Sequence, residues 1–536
     1  MRRFFKFILL VTCLTAVVTF MWILNLNQLL FTHNFGAELV KRVDIQLFSE
    51  RNPSTTSCPD ILSGMTRGRW KTRDLTTLEQ DTIDSYLHEE RGAYMIPHTY
   101  QRRDGLCGNV TYDGAPLYNH MWFKAICDPK GATPCCQLNK CIPASVEDCQ
   151  CPSCFDERQA VHAEYAKWVP EDARCAVPEF SAEDACDILQ GATIEFVGDS
   201  FIRHMFAATV ILLSGGKEYS SLTSNLPSHI LQICRGFHQF TAIQCRQYLN
   251  ETQTLCNDTV QMRYTQIFPS SEFLYLPSIL KRVHKSSKAL LVVGLGIHDD
   301  FNFDIVQKRF LLPFLNLRQH VFTHAKGLGQ DNLILDLGKV VTNFSTLSNA
   351  SLEYLMPRKR GQKLYNENVL PTLEKEKLLN LTSFWEILRR RPKDVYDMER
   401  QKRLAKGGNV NLTLVTTRNP RIPYMKDNSV IFQRFPRPDL DSQKLLPKVV
   451  WVGTHAPGLL KAPKFVRQTA QGVSNFNHEV QTLLRDWKIP YLDTFSFSSG
   501  AVSFDGTHYG WGVNMLKANM LINYIREGLV KSKLWS

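Results

Sequence analysis

The segment Ala192–Thr209, ATIEFVGDSFIRHMFAAT, decides the fold. Ile194-Glu195-Phe196-Val197 is rich in β-branched and aromatic residues, as a buried strand is. Gly198 permits a tight turn, and from Phe201 to Leu213 apolar residues recur at helical spacing, interrupted by Arg203 and His204. Asp199-Ser200 therefore stands where a strand gives way to a helix. A serine there holds its hydroxyl forward, and the helix start behind it offers backbone N–H groups and positive potential to a developing oxyanion. The plainer alternative is that Ser200 caps the helix.

The alternation continues outward. Strands are predicted at Thr193–Val197, Ala289–Leu295, Asn332–Leu337, Lys448–Val452 and Tyr491–Thr494, with helices at Ile202–Leu213, Arg309–His324, Asn475–Trp487 and Gly512–Glu527. Continuous apolar runs such as Leu290-Leu291-Val292-Val293 indicate an α/β fold, a parallel sheet covered on both faces by helices. Ligands of such sheets bind beyond the carboxyl ends of the strands, where Ser200 would lie. Two stretches interrupt the pattern. One is Lys217–Pro277; the other is a basic insertion at about 356–443, with Arg358-Lys359-Arg360 and Arg389-Arg390-Arg391, either a solvated face or a groove for an acidic glycan.

A chain of 536 residues, 44% hydrophobic and 11% aromatic, suffices for one large domain or a few ordinary ones. Its net charge of +12 favours anionic partners, but no nucleic-acid-binding motif accompanies it. Residues 1–6 read as a cytosolic tail and Phe7–Leu24, free of charge after Arg2, Arg3 and Lys6, as a transmembrane signal-anchor. A cleavable signal peptide would have a shorter apolar core ending in small residues, not Phe20-Met21-Trp22-Ile23-Leu24. Residues 25–57 form a stem, and the rest is expected in the secretory lumen as a single-pass type II Golgi protein. The cysteines agree: of 15, Cys13 sits in the anchor, and the other 14 lie between Cys58 and Cys256. Residues 58–190 thus read as a disulfide-rich subdomain packed on a main domain at 191–536, with a helix expected within Pro152–Trp168. A zinc site at Cys151-x-x-Cys154 is the weaker alternative, and connectivity does not follow from spacing. Glycosylation sequons at Asn109, Asn250, Asn257, Asn343, Asn349, Asn380 and Asn411 fit a luminal chain.

Near the C-terminus the chain reads SFDGTHYGWGVNMLKANMLINYI. Asp505 and His508, three apart at the mouth of the last helix, can face one side. An imidazole that takes a proton and an aspartate that orients it are the two groups Ser200 needs as nucleophile. The rival reading makes Asp505 a helix cap over the His508 N–H. His455, in Gly453-Thr454-His455-Ala456-Pro457, is a competing base. Val293-Gly294-Leu295-Gly296-Ile297-His298-Asp299-Asp300, at a strand end, can complete an oxyanion or substrate site.

Gly198-Asp199-Ser200 after a first strand, a glycine-containing block after a middle one, and Asp505-x-x-His508 before the last helix resemble the SGNH, or GDSL-type, hydrolase superfamily. Gly-Asp-Ser-x-x-Arg, with Arg203, and Lys448–Asp493 followed by Asp505-Gly506-Thr507-His508 resemble its PC-esterase branch. That branch includes trichome-birefringence-like and sialate O-acetyltransferases and the neurexophilin-and-PC-esterase proteins. The resemblance covers roughly Gly191 to Tyr524. It implies a three-layer fold and a catalytic set of Ser200, His508 and Asp505, with the Ser200 N–H as one oxyanion donor. Gly198, Asp199, Arg203, Gly236, Gly296 and His298 are its oxyanion or substrate candidates. His298 stands where the superfamily usually has Asn, and Gly236 is the nearest match for its second-block glycine. The implied activity is O-acyl transfer to glycan hydroxyls, or its hydrolytic counterpart. No bound cofactor or metal is implied, and acetyl-CoA or another acyl donor would be the co-substrate. Two other classes stand beside it: a glycosyltransferase whose metal-nucleotide motif would be Asp439-Leu440-Asp441, and a non-catalytic binding protein on a retired hydrolase fold.

Overall fold

The computed structural model describes residues 57–93, 99–113, 123–151, 153–270, 272, 276–284, 286, 288–315, 448–533 and 535. The apolar runs form strands as their composition dictates. In chain order these are β1 (Gly68–Thr72), β2 (Cys135–Gln137), β3 (Lys140–Ile142), β4 (Ala166–Pro170), β5 (Thr193–Gly198), β6 (Thr252–Leu255), β7 (Val260–Gln266), β8 (Ala289–Gly294), β9 (Lys448–Val452) and β10 (Tyr491–Leu492). The helices that matter for the site are α1 (Thr77–Ala93), α2 (Ala182–Leu189), α3 (Ser200–Leu213), α4 (Ala470–Asp486) and α5 (Trp511–Tyr524).

Six strands make one mostly parallel sheet in the order β10-β9-β8-β5-β7-β6, and only β6 runs antiparallel to its neighbour. The protein is thus a mixed α/β fold. β5 lies inside the sheet, pairing in parallel with β8 (Gly198 opposite Gly294) and with β7 (Gly198 opposite Gln266). β8 is buried along its whole length and β5 nearly so, so both faces of the sheet are covered. Phe196, Ile202, Phe206, Val292, Leu521 and Ile525 join strand, nucleophile helix and last helix in one core. At the rate of ~25 cal/mol per Å² of apolar surface, each such side chain contributes about 1.5–3 kcal/mol.

The chain divides into two compact units. The first comprises Met1–Pro269, Val283–Val306 and Pro447–Ser536, and holds the whole sheet. The second comprises Ser270–Arg282 and Gln307–Leu446; among its described residues, Phe310 and Phe314 stack with ring centroids 5.9 Å apart. Asn332–Leu337, most of the predicted Arg309–His324 helix, the basic insertion at 356–443 and the stretch Phe7–Leu24 lie outside the described residues. Among the described residues no helix is long and apolar enough to cross a membrane.

All 14 cysteines after Cys13 are paired: 58–175, 107–136, 127–141, 135–149, 151–154, 186–256 and 234–245. Cys151 and Cys154 bond to each other, which replaces the zinc alternative. Cys186–Cys256 ties α2 to the end of β6. Trp70, on β1, donates its indole N–H to the Phe497 carbonyl at 2.7 Å, so the cysteine-rich segment reaches the short helix Thr494–Ser498 that precedes Asp505. Sequons Asn109 and Asn257 are exposed.

Two sequence readings are corrected. The helix expected within Pro152–Trp168 is instead two short 3₁₀ turns, Glu157–Gln159 and Ala163–Tyr165, followed by β4. Antiparallel pairing of β4 with β1, Trp168 opposite Trp70, overrides the local propensity. Lys217–Pro277 is not merely an interruption, because it supplies β6 and β7.

Candidate active site

Ser200 is placed by a strand, a glycine and a cap. A Cβ on Gly198 would lie 1.9 Å from the Gly294 carbonyl oxygen, so only glycine lets β5 and β8 close at this end. Asp199 Oδ1 accepts the Phe201 N–H at 3.0 Å and is the N-cap of α3. Ser200 is therefore the first residue of the helix and not its cap. Its own N–H belongs to the first turn, which has no intrahelical acceptor, and it faces the same end as the hydroxyl.

The base arrives on a turn. Gly510 is the N-cap of α5, which begins at Trp511, so Asp505 and His508 precede the last helix and do not lie on it. Ser503 bridges Tyr509, and the Phe504 N–H donates to the His508 carbonyl at 2.9 Å. Inside this turn Asp505 Oδ1 accepts the N–H groups of Thr507 (2.8 Å) and His508 (2.6 Å). Its Oδ2 stays free for the imidazole: His508 Nδ1 lies 2.7 Å away. The capping bond and the orienting bond thus coexist on one carboxylate. His508 Nε2 then meets Ser200 Oγ at 2.9 Å, across 308 positions of sequence.

Asp505 is fully buried, which alone would raise its pKa, but the charge and hydrogen bonds of His508 outweigh burial and hold it at about 2. Because an anionic carboxylate can only accept, it accepts a hydrogen bond from His508 Nδ1–H, which keeps its proton, and leaves Nε2 as the acceptor that faces the serine. Burial pushes His508 below the usual histidine value; Asp505 opposes this, and the charges of Arg246 and Arg203 add to it. The ring is accordingly a neutral base near pH 7.

The other candidates fall in three places. Arg203 Nη2 lies 3.2 Å from His204 Nε2, and the His204 ring sits 5.0 Å from that of His508. Burial keeps His204 well below its usual pKa, so it is a neutral acceptor for the guanidinium. Arg203 is thus buried beside His204. Asp199 is raised to about 7 by burial, while the N–H groups of Phe201, Ile297 and Gly296 and the charge of Arg203 work against the rise. Asp199 and Gly296 hold the strand ends together; at Gly296 a Cβ would meet the Phe476 ring at 2.8 Å. Gly236 spends its N–H on the Glu218 carbonyl at 2.9 Å, so that amide is not an oxyanion donor. His298 packs on Phe268 with ring centroids 4.7 Å apart, makes no ring hydrogen bond among the described residues, and is lowered by burial to about 4. It remains an available neutral N–H donor.

His455, the competing base, is occupied on both nitrogens: Nε2 lies 2.6 Å from the Thr507 carbonyl and Nδ1 2.9 Å from Lys517 Nζ. Beside the triad is a small, half-open hollow lined by Phe201, Ile297, Phe301, Val473, Lys461 and Thr507, with room for about one water. Lys461 donates to Thr507 Oγ1 at 2.7 Å, and burial lowers it to about 8 against the pull of Asp505 and Asp300. Sequence reading missed Lys461, His204 and Lys517. Lys517 alone carried a signal, being a charge inside the apolar helix MLKANML. Asp439-Leu440-Asp441 lies outside the described residues.

Compared with known proteins, the chain has no significant match to any family model, curated protein or solved structure.

Proposed function

We propose that this chain is a serine-dependent acyl-ester enzyme of the SGNH type, acting on glycan hydroxyls in the Golgi lumen. One observation carries the reading: the unbroken contact Ser200 Oγ to His508 Nε2, and His508 Nδ1 to Asp505 Oδ2, at the carboxyl end of β5. Ser200 Oγ attacks the ester or thioester carbonyl while His508 Nε2 takes its proton. The oxyanion is received by the Ser200 N–H, and His298 supports it as a second donor. His508 returns the proton to the leaving alcohol or thiol, giving acyl-Ser200. A sugar hydroxyl, or water, then gives its proton to His508 and attacks the acyl carbon; the bond to Ser200 Oγ breaks and His508 returns that proton to Oγ. A transferase and an esterase share these steps and differ in whether water is kept out. Acetyl-CoA or a similar donor would be the co-substrate. Lys461, with its ammonium beside the hollow, favours an acidic acceptor.

A fluorophosphonate probe tests the reading on the purified luminal chain. Labelling should map to Ser200 and vanish in Ser200→Ala and in His508→Ala, with both variants folded. A natively folded wild type that neither labels nor hydrolyses small aryl acetates would overturn it.

A further inference from the structure

Two buried side chains beside the triad, His455 and Lys517, and the half-buried Thr507 carbonyl take no part in the steps above. Their bonds have a fixed direction. A carbonyl only accepts, so His455 Nε2, 2.6 Å from Thr507 O, carries the proton. Nδ1 is then an acceptor, and Lys517 Nζ at 2.9 Å donates to it. Burial and the charge of Lys517 keep the His455 ring neutral, consistent with that tautomer.

The carbonyl they hold belongs to the peptide that joins Thr507 to His508. The N–H of the same peptide donates to Asp505 Oδ1 at 2.6 Å. A peptide unit is planar, so pinning its oxygen on one side and its hydrogen on the other fixes the orientation of the whole plane. His508 Cα is the next atom of that plane, and the imidazole swings from it.

His455 is itself held stiffly. Thr454 on one side exchanges two hydrogen bonds with Asn477 of α4, at 2.9 and 2.7 Å. Ala456 on the other receives Tyr509 Oη at 2.8 Å and donates to Ser498 Oγ at 2.9 Å. Phe201, next to the nucleophile, lies against the His455 ring at 3.8 Å between centroids. Lys517 projects from α5 and also reaches Asn514 Oδ1 at 3.4 Å.

We infer that Lys517 and His455 are positioning residues for the catalytic base: together they clamp the Thr507–His508 peptide and so hold His508 Nε2 within reach of Ser200. The inference rests on the proposed role of His508. Two arms separate the two ideas. In the first, steady-state hydrolysis of an aryl acetate is measured for His455→Leu, His455→Gln and Lys517→Met. His455→Leu removes the donor to Thr507, and a misplacement of about 1 Å costs on the order of 100-fold. The expected result is a loss of that size carried mainly by kcat, with a much smaller change in KM. His455→Gln keeps an N–H for the carbonyl and an acceptor for Lys517, and should recover most of the loss. Lys517→Met should fall between. In the second arm, the downfield proton resonance of the His508–Asp505 bond is followed by NMR in a Ser200→Ala background. It should broaden in His455→Leu and persist in His455→Gln.

A folded His455→Leu, or a folded Lys517→Met if the first does not fold, that keeps both wild-type kcat and the unaltered resonance would overturn the inference. So would a Gln variant no better than Leu. If the wild type hydrolyses nothing while the resonance still responds to His455→Leu, the clamp stands and the acyl-transfer reading falls.

Discussion

Replacing Asp505 by Asn tests the chemistry with the least change in shape. Oδ1 accepts two backbone N–H groups, from Thr507 and His508, so the amide oxygen must stay there. The new NH₂ then faces His508 Nδ1, where Oδ2 stood at 2.7 Å. Two donors cannot share one bond. The ring therefore moves its proton to Nε2, the nitrogen 2.9 Å from Ser200 Oγ, and its lone pair turns away from the nucleophile. Loss of the correct tautomer in such a triad lowers kcat about 10⁴-fold, or ~5.4 kcal/mol at 1.36 kcal/mol per decade. Stability responds separately. The Asp505 carboxyl is held at about 2 against an ordinary 3.8, and just under two units at 1.36 kcal/mol each is about 2 kcal/mol. Its pKa is depressed in the folded state, so that stabilisation is complete above pH ~4 and disappears as pH falls toward 2. The variant should therefore unfold more easily than the wild type at pH 7, and the gap should narrow through that acid window. The assays are hydrolysis of an aryl acetate and denaturant unfolding at several pH values. An Asn variant within tenfold of wild-type kcat would show that Asp505 does not set the His508 tautomer.

Three further outcomes are expected. His508 is lowered from 6.5 by burial and acts as a base only when neutral, so kcat/KM should rise with pH through a midpoint below 6.5; a midpoint at or above 6.5 contradicts the site. Gly198→Ala places a Cβ 1.9 Å from the Gly294 oxygen and 2.6 Å from Ile202 Cγ1, so denaturant unfolding should show a loss of about 3 kcal/mol or more, and a wild-type midpoint would refute the close approach. Replacing both Cys186 and Cys256 by Ala opens a loop spanning 70 positions, for which the chain-entropy estimate is about 4 kcal/mol; a loss under about 1 kcal/mol would mean the bridge does not constrain the unfolded chain.

The parts of the fold that read well from sequence were those whose signal is local. β5, β8 and β9 are continuous apolar runs, and the structure gives them nearly the predicted bounds. α3 is apolar on all sides because all sides are covered. β6 and β7 were missed because Thr252-Gln253-Thr254-Leu255 and Val260-Gln261-Met262-Arg263 alternate, with one face buried and the other wet, amid sequons and a cysteine. α1 was missed for a similar reason: Ile83, Tyr86 and Glu90 are its buried positions, and most of the rest is polar or charged. Of the site, the Asp505–His508 spacing was local and legible. Its meeting with Ser200 rested on the order of motifs. The Lys517–His455–Thr507 chain was not legible at all, since three distant segments must be folded before its donors and acceptors face each other.

Synthesis order gives the separation of Ser200 from His508 another meaning. The nucleophile, its strand and its helix leave the ribosome early, while the turn that bears the base comes 308 positions later. Contacts so remote in sequence form late, because the intervening chain must first be ordered. Until then Ser200 is an ordinary alcohol with no acceptor for its proton. On the proposed reading, a nascent chain that stalls short of residue 508 is inert as an acyl carrier, so reactivity itself becomes a mark of completed folding.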